Sequence, residues 1–135
     1  KPLDNNFDFT ESCSVHFRRT DYVNNSHHPL LDISYFERAI GLINPAGHIF
    51  VFSDDITWCK ENLNFKNQIF AEGNSMHEDL QIMSNCSHNV ISNSSFSWWA
   101  AYLNKNKNKK VIAPHRWFGH NSDTSTLIPE DWLRI

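Results

Sequence analysis

Arg18 and Arg19 directly follow a run of strand-forming residues at 13–17, and Asp21 lies two positions later. A guanidinium presents five N–H donors in a planar fork, which suits bidentate recognition of a phosphate or a carboxylate. Two such forks at the end of a buried strand predict an anion-binding site, and a diphosphate would match two arginines that face a helix start. A purely structural ion pair of Arg19 with Asp21 or Asp32 is the competing interpretation.

Polar residues also follow the other strand-like runs of the chain. The sets that interest us are Ser53, Asp54 and Asp55 after the run at 48–53, and Asn93, Ser94 and Ser95 after the run at 88–92. Asp and Ser are ordinary helix N-caps, but a helix N-terminus with free N–H groups is also an anion site, and a carboxylate can accept the paired N–H edge of a guanine base. Both roles stay open from the residues alone.

The histidines are weaker signals. His16 lies within the first strand-like run, where a histidine is more often a satisfied core residue than a catalytic one. His27 and His28 with Asp32, or His115 with His120, could be imagined as metal ligands, but adjacent histidines in a loop are a poor metal signature, and we expect no metal. The chain has no GxxxxGK, GxGxxG or GxSxG segment, so it shows none of the usual signatures of phosphate-loop, dinucleotide-binding or α/β-hydrolase proteins.

These polar residues are positioned by an alternation of strands and helices. Strand-like runs lie at 13–17, 48–53, 67–72, 88–92 and 109–114. Between them, four apolar stripes have helical spacing: Phe36, Ala39, Ile40 and Ile43; Ile56, Cys59 and Leu63; Met76, Leu80 and Met83; and Phe96, Trp99, Ala100 and Leu103. This rhythm predicts an α/β fold, a Rossmann-like parallel sheet with helices on both faces, in which ligands bind at the carboxyl ends of the strands.

Three local features add detail to this prediction. Ser34 and Glu37 form a capping-box pattern at the start of the first helix. Trp99 belongs to an apolar stripe and is expected in the core, whereas its neighbour Trp98 is expected to face another surface. The lysine-rich stretch 105–110 reads as a solvated turn before the last strand.

Length, charge and cysteine use limit the class of protein. A chain of 135 residues is expected to form one domain, 1–135. Its net charge of -3 argues against a general nucleic-acid binder. Three scattered cysteines suggest a reducing compartment, and no apolar run is long enough for a membrane span. We therefore expect a soluble, intracellular protein that holds its anion locally.

The candidate residues together resemble a known family. The segment HFRRTD at 16–21 resembles the H-x-R-R-x-D motif of the α-1,2-fucosyltransferases, glycosyltransferase family 11. The segments FSDDITWCKENL at 52–63 and SNSSFSWWAAYL at 92–103 are similar to the second and third motifs of that family, in the same order. VIAPHRWF and IPEDWLRI are similar to its C-terminal stretches, so the resemblance runs from residue 12 to the end of the chain.

This resemblance implies an inverting transfer of L-fucose from GDP-β-L-fucose to the 2-hydroxyl of a galactose-terminated glycan, without a metal or another cofactor. It implies the fold of the C-terminal, donor-binding domain of a two-domain B-type glycosyltransferase. The glycine-rich start and the N-terminal domain of the family are absent from this sequence. The alternative function is that of a non-catalytic GDP-sugar-binding module or a truncated remnant. The expected location is the cytoplasm, with the protein peripheral at the inner face of a bacterial membrane.

The resemblance also assigns roles to individual residues. Arg18 and Arg19 would neutralise the donor diphosphate and stabilise the charge on departing GDP, Asp21 would orient them, and His16 would brace their loop. Asp54 or Asp55 would contact guanine. The rest of the expected donor-binding set is Ser53, Asn93, Ser94, Ser95 and Phe96. The catalytic base is not assigned. Asp21 is a candidate because it is an acid close to the arginines; a base in the absent half, or a strongly dissociative reaction that needs little help from a base, is an equal alternative.

Overall fold

The fold is a six-stranded, all-parallel sheet with four helices, seen in a computed structural model that describes residues 6–120 and 122–135. The strands are β1 (Cys13–Phe17), β2 (Ile49–Ser53), β3 (Gln68–Phe70), β4 (His88–Val90), β5 (Val111–Ala113) and β6 (Leu133–Arg134). The helices are α1 (Ile33–Ile43), α2 (Ile56–Asn62), α3 (Met76–Asn85) and α4 (Ser95–Leu103). The α/β, Rossmann-like prediction is confirmed.

The strand order in the sheet is β3-β2-β1-β4-β5-β6. The chain builds outward from β1 to β3, then returns to the other side of β1 with β4. Val15 of β1 is therefore in register with Val51 of β2 on one side and Val90 of β4 on the other. The gap between the carboxyl ends of β1 and β4 is the topological switch point, which is where open parallel sheets bind ligands.

Helices cover both faces of the sheet because successive residues of a strand point to opposite faces. On one face, Phe17 at the end of β1 stacks on Phe36 of α1 with ring centroids 3.8 Å apart, and Cys59 of α2 joins the same cluster. On the other face, Phe52 of β2 packs in one cluster with Met83 of α3. Both layers exclude water from the sheet, so the strand ends hold their loops on a rigid base.

A buried polar network ties β4 to β1 and to the end of α4. Asn89 Nδ2 donates to Ser14 Oγ at 2.6 Å and to the Met83 carbonyl at 2.8 Å. Asn104, which follows α4, donates to Asn89 Oδ1 at 2.8 Å and to the carbonyl of Cys86 at 2.8 Å. Because buried amides are expensive to leave unpaired, this network fixes the position of β4 beside β1.

Of the two adjacent tryptophans, Trp98 faces another surface, as expected, but Trp99 does not lie in the core. Trp99 is 50% exposed, whereas Trp98 packs against the cluster around Trp132 and donates from Nε1 to the Leu127 carbonyl at 2.9 Å. The C-terminal segment, which the apolar periodicity of α4 does not reveal, covers the Trp98 side of the helix. The Trp99 prediction was therefore wrong.

Other local predictions also need correction. The capping box lies on α3, where Ser75 and Glu78 exchange hydrogen bonds, and not at Ser34 and Glu37, since α1 already begins at Ile33. Met76 and Leu103 of the predicted stripes are 71% and 46% exposed. Both lie at helix ends, where a stripe runs beyond the surface that it covers.

The three cysteines, Cys13, Cys59 and Cys86, are buried and free. Within residues 6–120 and 122–135, no helix is long and apolar enough to cross a membrane.

Candidate functional site

The loop after β1 carries Arg18, whose guanidinium is held by two carboxylates. Its Nη2 donates to Asp21 at 2.9 Å, and its Nη1 lies 3.5 Å from Asp54 Oδ2. The guanidinium carbon also lies 5.4 Å from the centre of the Tyr22 ring. The side chain is 34% exposed, so a guanidinium oriented by protein groups still reaches the surface of the rim. Asp21 orients Arg18 in this arrangement.

Arg19 is more enclosed than Arg18. Its guanidinium carbon lies 3.6 Å from the centre of the Trp58 ring, and its Nε lies 3.6 Å from Asp55 Oδ2. The side chain is only 15% exposed, and Nε is buried without a hydrogen-bond partner in the described part of the chain. The ion pair predicted as the structural alternative, with Asp21 or Asp32, is replaced by one with Asp55, because α2 starts directly beside the β1 loop.

Asp54 closes the β1 loop onto the end of β2. Its Oδ1 accepts from the Arg19 N–H at 2.9 Å, and its Oδ2 accepts from the N–H and the hydroxyl of Thr20 at 3.1 and 2.6 Å. Burial acts to raise the pKa of Asp54, but the hydrogen bonds from Thr20 and Arg19 outweigh it and hold the pKa below its usual value. The carboxylate is therefore ionised at neutral pH and both oxygens are engaged within the protein.

Ser53 and Asp55 complete the junction between β1 and β2. The Ser53 hydroxyl donates to the Phe17 carbonyl at 2.8 Å and accepts from the Asp55 N–H at 3.0 Å. Asp55 is the N-cap of α2 and accepts from the Trp58 N–H at 3.3 Å. Each of these residues positions the loop that carries the arginines.

The loop after β4 stands beside this cluster at the switch point. His16 of β1 shares a 2.9 Å hydrogen bond between its Nδ1 and Ser92 Oγ, and Ser92 Oγ lies 3.3 Å from Ser97 Oγ of α4. The His16 ring lies 5.4 Å from the Phe96 ring. Burial lowers the pKa of His16 to about 4, so the imidazole is neutral at pH 7 and braces the two loops.

Asn93 ties three rim segments together. Its side chain is buried, and Nδ2 donates to the carbonyls of Pro29 and Trp117, each at 3.0 Å. Its own carbonyl accepts from the Tyr22 hydroxyl at 2.9 Å. The loops after β1, β4 and β5 are thereby fixed to one another.

Helix α4 begins at this rim with Ser94 as its N-cap residue. The Ser94 side chain makes no cap hydrogen bond, and Ser95 is exposed. The first N–H groups of a helix lack intrahelical acceptors and favour an anion. The end of β4 thus places a helix N-terminus in the strand position next to the two arginines, which is the geometry expected for binding a polyanion.

The structure therefore brings the predicted residues into two adjacent groups. Arg18, Arg19, Asp21, Ser53, Asp54 and Asp55 form one hydrogen-bonded and ion-paired cluster at the ends of β1 and β2. His16, Asn93, Ser94, Ser95 and Phe96 lie at the ends of β1 and β4. The sequence reasoning missed Thr20, Tyr22 and Trp58, although an aromatic residue three positions after a helix N-cap at the rim was a usable signal for Trp58.

Neither a cluster of metal ligands nor a large cavity marks this site in the described part of the chain. In the described ranges, no group of three or more His, Cys, Asp or Glu side chains is arranged to hold a metal ion; His27 and His120 instead stack with ring centroids 4.7 Å apart. Two cavities of about 460 and 560 Å³ lie elsewhere, one lined by Ile40, Pro45 and Phe65 and one by residues 9–11 and 106–108. We therefore locate the site by the convergence of charged groups at the switch point and not by cavity size.

Comparisons with known proteins show which glycosyltransferases the chain is similar to. The model of Glycosyl transferase family 11 matches residues 4–133. The chain is 36% identical to the O-antigen biosynthesis glycosyltransferase WbnK of Escherichia coli, covering 92% of this chain and 44% of that protein. It is 40% identical to an alpha-1,2-colitosyltransferase of Escherichia coli, covering 93% and 48%. It is 35% identical to the galactoside 2-alpha-L-fucosyltransferase SEC1 of Bos taurus, covering 66% and 27%. The chain spans less than half the length of these relatives.

Proposed function

The chain belongs to glycosyl transferase family 11, and on that premise we propose that it binds the donor sugar nucleotide of an α-1,2-fucosyltransferase. The donor would be GDP-β-L-fucose, and the acceptor the 2-hydroxyl of a galactose-terminated glycan. The observation that carries the proposal is the pair of oriented guanidiniums, Arg18 and Arg19, beside the N-terminus of α4 at the switch point.

The geometry supports a specific role for the arginines. As the bond between fucose and GDP breaks, negative charge grows on the diphosphate, and fixed cations at that position lower the barrier because they need no reorganisation. Arg18 is held by Asp21 and Asp54, and Arg19 by Trp58 and Asp55. Two guanidiniums and a helix N-terminus together could neutralise a diphosphate, which supports the proposal that transfer needs no metal.

The acids of the rim have distinct proposed roles. Asp54 uses both carboxylate oxygens to hold the β1 loop. Of the two aspartates expected near guanine, Asp55 is therefore the one with more capacity to accept from the base, although it also caps α2. Asp21 is 61% exposed and bonded to Arg18, which favours an orienting role; its role as a base for the acceptor hydroxyl stays an alternative proposal.

A second donor is favoured by one comparison. A relative at 40% identity is an alpha-1,2-colitosyltransferase, so the colitosyl counterpart of the donor is the competing substrate. Both readings share the proposed GDP and the 1,2 linkage, and they differ only at the sugar.

We also propose that the protein acts in the cytoplasm, peripheral at the inner face of a bacterial membrane. The three free, buried cysteines fit a reducing compartment, and a relative is described as an enzyme of O-antigen biosynthesis. Fractionation of cells would place the protein with the cytosolic and inner-membrane fractions, and recovery from the periplasm would contradict the proposal.

Donor binding is the first test. We expect calorimetry to show GDP-fucose binding that persists in EDTA and that weakens at least about tenfold in Arg18→Ala, since a charge-assisted contact with the diphosphate is lost. Arg38→Ala is the matched control, because Arg38 is exposed on α1, outside the site. Loss of binding in EDTA would refute metal independence, and equal weakening in both variants would refute the role of Arg18.

Turnover is the second test. Transfer of fucose to lactose, or slow hydrolysis of GDP-fucose, by this chain would exclude a non-catalytic binding module. GDP-fucose binding without either reaction would favour the binding module for the chain as it stands. A preference for the colitosyl donor in the same assay would reassign the sugar.

A further inference from the structure

Trp58 and Asp55 enclose the Arg19 guanidinium at the start of α2. The guanidinium carbon lies 3.6 Å from the centre of the Trp58 ring, a distance at which the plane of the fork contacts the indole face. Asp55 Oδ2 lies 3.6 Å from Arg19 Nε. We call these two residues the Arg19 platform.

The platform is rigid because its two members support each other. Asp55 caps α2 by accepting from the Trp58 N–H at 3.3 Å. The Trp58 ring also packs against the core, with its centroid 6.2 Å from that of Phe17. Trp58 is thus held at its backbone by the helix cap and at its ring by the hydrophobic core.

Arg19 itself uses few of its donors within the protein. Its Nε is buried without a hydrogen-bond partner, and its Nη1 and Nη2 donate to no acceptor among residues 6–120 and 122–135. A side chain that is only 15% exposed and keeps its terminal donors free is oriented by packing instead of by hydrogen bonds. This differs from Arg18, whose two terminal nitrogens already face carboxylates.

We propose that Trp58 is a positioning residue that holds Arg19 with its free terminal nitrogens presented to a donor phosphate. This inference rests on the proposed function. Arginine has high rotamer entropy, so a guanidinium ordered in advance loses less freedom when the phosphate binds. The indole face attracts the cation without consuming an N–H donor, which leaves the fork available for bidentate recognition.

The test compares the affinity for GDP among tryptophan variants of the whole chain. We expect Trp58→Ala to bind GDP about tenfold more weakly, as for loss of a partly desolvated cation–π contact, and Trp58→Phe to bind two- to threefold more weakly because a smaller ring face remains. Trp99→Ala is the matched control, since Trp99 is half exposed on α4, and its affinity should match the parent chain. Urea unfolding of each variant reports whether it is folded.

A double-mutant cycle separates positioning from general damage. In Arg19→Ala the platform has nothing to hold, so adding Trp58→Ala should not weaken GDP binding further. The Arg19 Nε–H proton should also show an upfield ring-current shift in NMR spectra without ligand, and that shift should disappear in Trp58→Ala and persist in Trp99→Ala.

Each outcome has a defined meaning. If the parent chain is folded and binds no GDP, the proposed function falls, and the inference falls with it. If the parent chain binds GDP but folded Trp58→Ala or Trp58→Phe binds it with unchanged affinity, the inference alone is overturned. It is equally overturned if Trp58→Ala weakens binding to the same degree with and without Arg19, because Trp58 would then act through the fold and not through Arg19.

Discussion

Replacing Asp54 should loosen the loop that presents both arginines, and the size of the effect follows from its contacts. The carboxylate accepts three hydrogen bonds, at 2.9, 3.1 and 2.6 Å, from Arg19 and Thr20, and it faces Arg18 at 3.5 Å. A hydrogen bond to a charged group contributes about 1.5–3 kcal/mol, and the 21% exposure of this side chain places each one at the lower end.

The expected loss of stability can be stated for two variants. Asp54→Asn keeps the shape but turns an N–H₂ group toward at least one donor, so the free energy of unfolding should fall by about 2 kcal/mol. Asp54→Ala removes all three acceptor contacts and should lower it by about 4–5 kcal/mol. With a urea m-value of about 2 kcal/mol/M, the unfolding midpoint should fall by about 1 M for the Asn variant.

The pH dependence supplies a second readout. The pKa of Asp54 in the folded protein lies below its ordinary value, so its contribution to stability is present above that ordinary value and is lost as the pH falls through the folded-state pKa. The stability gap between parent and Asp54→Asn should therefore be constant near neutral pH and shrink in acid. Urea unfolding monitored by circular dichroism at several pH values measures it. A gap below about 0.5 kcal/mol at pH 7, or a gap that does not change in acid, would refute this account of the loop.

Three further outcomes follow from the contacts. The His16 imidazole should titrate near pH 4 in NMR spectra. Because the unfolded chain takes up this proton near pH 6.5, the free energy of unfolding should decline as the pH falls from 6.5 to 4. A folded-state midpoint near 6.5 would show that the ring is not buried as described. Tyr35→Phe should lower the free energy of unfolding by about 1–2 kcal/mol, since its buried hydroxyl donates to the Ile91 carbonyl at 2.7 Å; an unchanged urea midpoint would count against that bond. Ser75→Ala should lower the free energy of unfolding by about 1 kcal/mol through loss of the capping box. Ser84→Ala, late in α3, is the control within the same helix, and an equal loss of stability in both variants would contradict the role of the cap.

Much of the fold was predictable because the central strands are buried on both faces. Residues 13–17 match β1 completely, and β2 differs from its prediction by one residue, since continuous apolar runs mark such strands. The strands β3, β4 and β5 were each predicted two or three residues too long. β6 was missed because two paired residues at the sheet edge leave no periodic signal. The prediction that Trp99 lies in the core was wrong because the C-terminal segment, which packs on the Trp98 side of α4, is distant in sequence.

The location of the candidate site was predictable from the sequence, but its hydrogen bonds and ion pairs were not. Parallel strands place Arg18 and Ser94 at the same edge whatever their order. That β4 lies next to β1, and that Asp54 bonds the backbone of Arg19 and Thr20 across 35 and 34 positions, depends on tertiary pairing that residue types do not encode locally. The contact of Arg19 with Trp58 is of the same kind, since it requires α2 to start beside the β1 loop.

The central claim is that the two arginines recognise the diphosphate of the donor, and calorimetric titration with GDP and with guanosine tests it most directly. The account predicts that the folded chain binds GDP at least about tenfold more tightly than guanosine, and that Arg18→Ala and Arg19→Ala abolish this preference while Arg38→Ala retains it. Equal affinity of the parent chain for GDP and guanosine, or a preference that survives in both site variants, would contradict it.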